Sequence, residues 1–266
     1  MKGRVLIVAG SDSGGGAGIQ ADIKSVTALN GYAATAITAL TAQNTQGVFG
    51  VLDIPVDFIR QQMELVLDDI GADAIKTGML SKPEVIETIA ATLERKAPKT
   101  PLVVDPVMVA KGGHKLLDDS AHHALKTRLI PMAAVITPNI PEAEALLGGT
   151  IRTVEEMAAA GRALLALGPR AVLVKGGHME GETLVDVLVD ASGARCFESA
   201  RLDTGNTHGT GCSMASAIAA GLAQGMDLVS SVMRARDYVR AAILSAPGYG
   251  KGHGPLNHAH TVRPMQ

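Results

Sequence analysis

Residues 204–225, TGNTHGTGCSMASAIAAGLAQG, set two glycines around a threonine and then run into small and apolar residues. Gly209, Thr210 and Gly211 can turn backbone N–H groups toward one point at the start of a helix, where the dipole is positive and an anion is held. A phosphoryl group in transfer is an anion that needs such a cradle. The same residues also suit a glycine turn that only begins a packed helix.

Other polar positions bear on the choice. Asp105 closes an apolar run just before Pro106, where a carboxylate can serve Mg²⁺ directly or through water, or can cap a turn. Asn139 and Glu142 stand three apart, which suits a second acidic site and equally a helix capping box. Lys175 ends another apolar run, where it can meet a nucleotide phosphate or be a solvated lysine. Gln43 and Asn44 end an earlier one; a side-chain amide donates and accepts at once, matching an aminopyrimidine edge, though it can also cap a loop.

These positions need a scaffold that brings strand ends together. Residues 4–9 predict a short buried strand, broken by SDSGGGAG before a helix over 19–29 that ends at Asn30 and Gly31. Strands follow at 33–42, 51–54, 74–77, 102–105, 133–136 and 171–175, with helices between them. Ser81 with Glu84 predicts a capping box, as does Thr153 with Glu156. Residues 184–190 and 195–199 predict an antiparallel hairpin, and 228–244 a last helix. VMVAKGGHKLL, after Asp105, has a flexible composition. Alternating strands and helices predict an α/β fold in three layers, a mostly parallel sheet with helices on both faces and an antiparallel edge. No linker divides residues 1–266, so a single domain is expected. The glycines at 14, 15, 16 and 18 match a dinucleotide fingerprint only when forced, and Asp53 lies too far on to be its ribose-binding acid.

The chain has 266 residues, 47% of them hydrophobic, enough for a large core, but only 2% aromatic. With 24 basic and 26 acidic residues and no long charge run, the sequence does not advertise a nucleic-acid partner or an acidic membrane, so a small-molecule ligand is expected. Cys196 and Cys212 are too few for a disulfide framework, and the first apolar run is too short for a secretory signal, so the expected setting is the cytoplasm. His253, His258 and His260 invite a metal, but their spacing and the lack of a supporting carboxylate favour an exposed terminal segment.

Taken together, AGSDSGGGAGIQADIK, TALTAQNTQGV, IKTGML, VVDPVMVAKGG, TPNIPEAEAL, VLVKGGH, DTGNTHGTGCSMASAIAAGLA and GHGPLNH resemble, in order and over nearly the whole length, the hydroxymethylpyrimidine and phosphomethylpyrimidine kinases of the ribokinase-like superfamily. The resemblance implies ATP-dependent, Mg²⁺-assisted phosphorylation of 4-amino-5-hydroxymethyl-2-methylpyrimidine, then of its monophosphate, by a cytoplasmic homodimer in thiamine biosynthesis. It implies an anion hole at residues 209–212, with Cys212 where sugar kinases carry an aspartate. A thiol acidified by the helix N-terminus could accept the substrate proton there, or Cys212 could only position the alcohol. It further implies pyrimidine contacts from Gln43, Asp22, Gly10, Met79 and Val107, nucleotide contacts from Lys175, Thr207 and Asn139, and Mg²⁺ at Asp105 and Glu142. A pyridoxal or pyridoxine kinase on the same scaffold is the alternative, followed by a catalytically silent pyrimidine sensor.

Overall fold

The computed structural model describes residues 2–108 and 119–262. The chain opens with strand β1 (Arg4–Asp12), helix α1 (Gly18–Ala28) and strands β2 (Tyr32–Asn44) and β3 (Gly47–Asp53). Helix α2 (Val56–Asp69), β4 (Ala74–Thr77), α3 (Pro83–Lys96) and β5 (Leu102–Val104) follow. Next come α4 (Asp119–Ala124), β6 (Val135–Ile136), α5 (Ile140–Leu147), α6 (Val154–Leu165) and β7 (Ala171–Val174). The hairpin of β8 (Thr183–Asp190) and β9 (Gly193–Ala200) leads to α7 (Thr210–Ala223) and α8 (Leu228–Leu244). The strands form one sheet in the order β3-β2-β1-β4-β5-β6-β7-β8-β9. From β2 to β7 neighbours are parallel; β3 at one edge and β8 and β9 at the other run antiparallel.

Strand alternation divides the core in two. Leu6 and Val8 of β1 face a layer with Ile59 and Met63 of α2, Ile86 of α3 and Leu164 of α6. Val5, Ile7 and Ala9 face the opposite layer, with Val26 of α1, Ile218 of α7 and Val232 of α8. Being covered on both faces, the central strands are uninterrupted apolar runs. Helix α7 is buried continuously over residues 213–221, and its alanines and serines let α1 and α8 approach closely. Gly221 is needed for that approach, since a Cβ there would collide with Ser231 of α8. Among the described residues, no helix is long and apolar enough to cross a membrane.

Several local expectations change. The chain after β2 turns at once at Thr45 and Gln46, so Gln43 lies inside a strand, paired with Val48 of β3 across a bulge. The Ser81–Glu84 capping box does not form. Lys82 is the N-cap of α3, Pro83 opens the helix, and the Ser81 hydroxyl donates instead to Asp53 at 2.8 Å. Thr153 and Glu156 do form their box. α1 ends with Asn30 in the left-handed region at φ 64°, its N–H on the Thr27 carbonyl and that of Gly31 on Val26. The C-terminal histidines are not a uniformly exposed tail: His258 is buried, its Nδ1 2.8 Å from the Tyr238 hydroxyl. Most of VMVAKGGHKLL lies outside the described residues.

Candidate active site

The C-terminal ends of the parallel strands open into a cleft of about 920 Å³, where open α/β sheets place their ligands. It runs from Gly10 and Gln43 past the start of α7 to Leu184 and Arg201 on the hairpin side and Arg240 on α8.

At its centre is the glycine turn. Gly209, the residue before α7, has φ 83°, and a Cβ on it would strike the Gly16 carbonyl oxygen, so both conformation and contact require glycine. Gly211 is different: it lies in the helix, not in the left-handed region, and a Cβ there would fall 3.2 Å from Lys175 Nζ and 3.8 Å from Asp105 Oδ2. The N–H groups of the first turn of α7 have no acceptor within the helix; that of Thr210 reaches the Thr207 carbonyl at 3.4 Å, while Gly211 and Cys212 lie on the cleft wall with Lys175. Cys212 lines the cleft beside them. Burial pushes its thiol up to about 12, against the pull of Lys76, and Asp22 and Asp105 push it further. The acidified thiol expected from the helix N-terminus is therefore corrected: Cys212 is a neutral thiol at physiological pH.

The glycine-rich segment after β1 winds around its own aspartate. Asp12 accepts hydrogen bonds from the N–H groups of Gly14 (2.8 Å), Gly16 (3.1 Å) and Ala17 (2.8 Å), and pairs with His208 Nε2 at 2.9 Å. Burial alone would raise its pKa, but the His208 contact and these N–H groups hold it below the usual carboxylate range. The N–H groups of Gly14, Gly15, Gly16 and Ala17 are thus already occupied, that of Gly15 by the Asp12 carbonyl. Gln43 lines the cleft with its backbone clasped by Ser13, whose hydroxyl accepts the Gln43 N–H at 2.8 Å and donates to its carbonyl at 2.9 Å. The Gln43 Oε1 accepts from Thr41 at 3.1 Å, and Nε2 lies 3.4 Å from His208 Nε2. Gly10, Met79 and Val107 join this wall; a Cβ on Gly10 would come within 2.5 Å of the Met79 methyl.

Asp22 is the exception among the expected pyrimidine contacts. It is fully buried and absent from the cleft wall, with Oδ2 on Lys76 Nζ at 2.8 Å and Oδ1 accepting from Ser216 at 2.7 Å. Asp22 thus stands behind the cleft wall, joined to it through Lys76, which does line the cleft.

The acidic end joins three strand ends. Asp105 follows β5; its Oδ1 accepts from Lys175 Nζ at 3.0 Å and from Thr137 at 2.9 Å. Burial opposes its charge, but Lys175, Lys76 and these hydrogen bonds keep the carboxyl below its ordinary value. Lys175 is far from a solvated lysine: its side chain is 13% exposed, and the neighbouring carboxylates hold it charged despite burial. Asn139 and Glu142 form the capping box, Asn139 Oδ1 accepting the Glu142 N–H at 2.9 Å and Glu142 Oε2 accepting the Asn139 N–H at 2.8 Å. Both also line the cleft, so cap and site coexist. Burial, aided by Asp105, pushes the Glu142 carboxyl up to about 7 against the pull of Lys175. Two acids facing one lysine leave room for more positive charge, and a dication suits them. No cluster of three His, Cys, Asp or Glu able to hold a metal occurs among the described residues, so phosphate oxygens and water would complete the coordination, as Mg²⁺ commonly requires.

The cleft thus gathers Gly10, Gln43, Met79, Asp105, Val107, Asn139, Glu142, Lys175, Thr207, Gly209, Thr210, Gly211 and Cys212. Asp12, Lys76 and His208 also line it, and sequence reasoning does not single them out. Lys76 has one legible signal, a lysine inside the apolar strand AIKT. Asp12 and His208 have none, because their pairing spans 196 residues.

A mainly parallel sheet with a glycine turn at a helix start, a lysine and two acids gathered near its strand ends is the layout of a kinase of the ribokinase-like fold. The chain belongs to the phosphomethylpyrimidine kinase family, whose model matches residues 12–257. It is 52% identical to a thiamine biosynthesis bifunctional protein of Geobacter sulfurreducens over 97% of this chain, though it spans only 52% of that relative's length. It is 48% identical to the hydroxymethylpyrimidine/phosphomethylpyrimidine kinase of Streptomyces coelicolor, covering 96% of this chain and 93% of that one. Among solved structures, phosphomethylpyrimidine kinase from Clostridium difficile superposes with a TM-score of 0.81 at 45% identity, covering 91% of this chain and all of that one. An ADP complex of Bacillus subtilis pyridoxal kinase superposes with a TM-score of 0.90 at 39% identity, covering 97% and 98% of the two chains.

Proposed function

We propose that this chain, as a single catalytic domain, uses ATP to phosphorylate 4-amino-5-hydroxymethyl-2-methylpyrimidine on its hydroxymethyl group and then phosphorylates the monophosphate to the diphosphate, in thiamine biosynthesis. The observation that carries this reading is the layout of one cleft, with the Gln43 amide at one end and the start of α7, Lys175 and two acids beyond it. Gln43 pairs with the aminopyrimidine edge while Gly10, Met79 and Val107 enclose the ring. Gly211 and Cys212 present backbone N–H groups where charge gathers on the transferring phosphoryl, with Gly209 and Thr210 shaping the turn, and preorganised donors of this kind give such a site most of its rate enhancement. Lys175 and Thr207 orient the nucleotide phosphates. Asp105 and Glu142, with Asn139 fixing Glu142, would hold Mg²⁺. That ion would neutralise charge on the phosphates. Cys212, a thiol at working pH, positions the alcohol; a loose phosphoryl-transfer transition state makes small demand on a base.

The protein works in the cytoplasm as a homodimer in this reading. Two cysteines without a disulfide framework support the first, and the exposed Phe49, Val51 and Leu52 on edge strand β3 support the second. A pyridoxal kinase is the second reading, favoured by the 0.90 superposition on such an enzyme. A silent sensor is disfavoured because Asp105, Glu142 and the turn of α7 all reach the cleft. The test is kcat/KM with Mg-ATP for hydroxymethylpyrimidine, its monophosphate, pyridoxal and pyridoxine. The two pyrimidines should lead; a clear preference for the vitamin B6 compounds would transfer the assignment to the second reading.

A further inference from the structure

Ala74, Val103, Val135 and Leu173 belong to the apolar layer on the α1 and α7 side of the sheet. Lys76 points to the same side as Ala74, two residues along β4, and breaks that layer with a charge that is 0% exposed to solvent yet lines the cleft. Its ammonium is pinned by Asp22 of α1 at 2.8 Å, and Asp22 is pinned by Ser216 of α7 at 2.7 Å. Ser216 and Cys212 are four residues apart on α7, hence on one face and one turn from each other. The face that anchors the Lys76–Asp22 pair is therefore the one that carries Cys212 to the cleft. Gly78 keeps the space clear: a Cβ there would stand 2.8 Å from Lys76 Nζ.

A wholly buried ion pair is a poor stabilising device, since well-packed apolar residues usually serve the fold as well or better. We propose that Lys76 is a catalytic cation of the kinase reaction, facing the substrate alcohol oxygen beside Cys212, and that Asp22 is the positioning residue that aims it. In the reaction, the alcohol oxygen forms its bond to the γ-phosphorus. The bond from that phosphorus to the bridging oxygen of ATP breaks, with its electron pair left on ADP, and the alcohol proton goes to solvent. Lys76 stabilises the negative charge shared by the entering oxygen and the phosphoryl oxygens on that side, from a site where water does not screen it. The buried position also explains why Asp22 belongs to the same machinery without touching the ring.

This inference rests on the kinase reading, so the test has one arm that needs a substrate and one that does not. In the first, Lys76→Met and the charge-neutral pair Lys76→Met/Asp22→Asn are compared with wild type for melting temperature, kcat and KM. Lys76→Met should be destabilised, because it strands a buried carboxylate. The double variant should melt near wild type, yet keep a kcat about 10²-fold down with KM for the pyrimidine little changed. Return of kcat in the double variant would make the pair structural and overturn the proposal. In the second arm, iodoacetamide labels Cys212 and the exposed Cys196 at alkaline pH, and mass spectrometry gives the ratio of their rates. Loss of a facing ammonium should slow Cys212 about tenfold relative to Cys196 in Lys76→Met, one unit of thiol pKa, and by a smaller factor in the double variant, where loss of the Asp22 charge acts the other way. An unchanged ratio would show that Lys76 does not face that thiol, whatever the substrate is. A wild-type protein that phosphorylates none of the panel would refute the kinase reading, while the labelling ratio would still decide the placement of Lys76.

Discussion

Cys212 occupies the position of a base without the acidity of one. With its thiol pushed up to about 12 by burial, it carries its own proton at neutral pH, and a neutral thiol is too weak a base to take another. Cys212→Ser should therefore keep turnover within about tenfold of wild type, whereas loss of a true general base would cost about 10²–10⁴-fold; steady-state kcat of the folded variant decides between them. Burial pushes Glu142 in the same direction, but its carboxyl stops at about 7, within reach of working pH. Its folded pKa lies above the unfolded value, so in the absence of metal it binds a proton more tightly when folded, and this contribution to stability fades as pH rises toward 7. Mg-ADP binding at pH 7 should release about half a proton as the carboxylate is drawn into its charged form. Calorimetry in buffers of different ionisation enthalpy measures that release. Glu142→Gln should abolish it, and an equal release from the variant would assign the proton elsewhere.

At the scale of elements, what is legible in the sequence is what local chemistry dictates. The Thr153 box, the β8–β9 hairpin and the α8 boundaries all follow from neighbours close in sequence. Ser81 has the right spacing for a cap, but Pro83 fixes the helix start one residue later and Asp53, brought near by the fold, takes the hydroxyl. The β2–β3 hairpin is not legible because TQ is not a strong turn pair. The C-terminal segment is hidden for a similar reason: its contacts are distant. His253 donates its N–H to Thr45, Gly254 accepts from His208, and His258 lies against Tyr238 and Ser25. Burial lowers the His258 pKa to about 4, below its unfolded value, so its contribution to stability is present above about pH 6.5 and is lost as pH falls toward 4. His258→Asn should flatten the fall in melting temperature between pH 7 and pH 4.5. An unchanged slope would place the acid sensitivity in other groups.

For the molecule as a whole, the alternation of strands and helices makes the α/β class legible, and the succession of motifs makes the family legible. The interior of the site is less so. Lys76 meets Asp22 across 54 residues and His208 meets Asp12 across 196, and no spacing rule announces pairs of that kind. Surface properties also belong to this scale. Phe49 is 72% exposed and Leu52 64% exposed on a strand with an open edge, where a monomer would carry an aggregation hazard. Phe49→Asp with Leu52→Asp should turn the proposed dimer into a monomer in light scattering after gel filtration; a dimer that persists would move the interface to another face, and a wild-type monomer would remove it. In the proposed function one cleft adds phosphate twice to one pyrimidine. Phosphorus NMR of the protein with Mg-ATP and hydroxymethylpyrimidine follows both additions directly. A monophosphate ester signal should rise first and give way to the paired signals of the diphosphate as ADP accumulates; ATP left unchanged, or ADP formed with inorganic phosphate and no ester, would contradict the account.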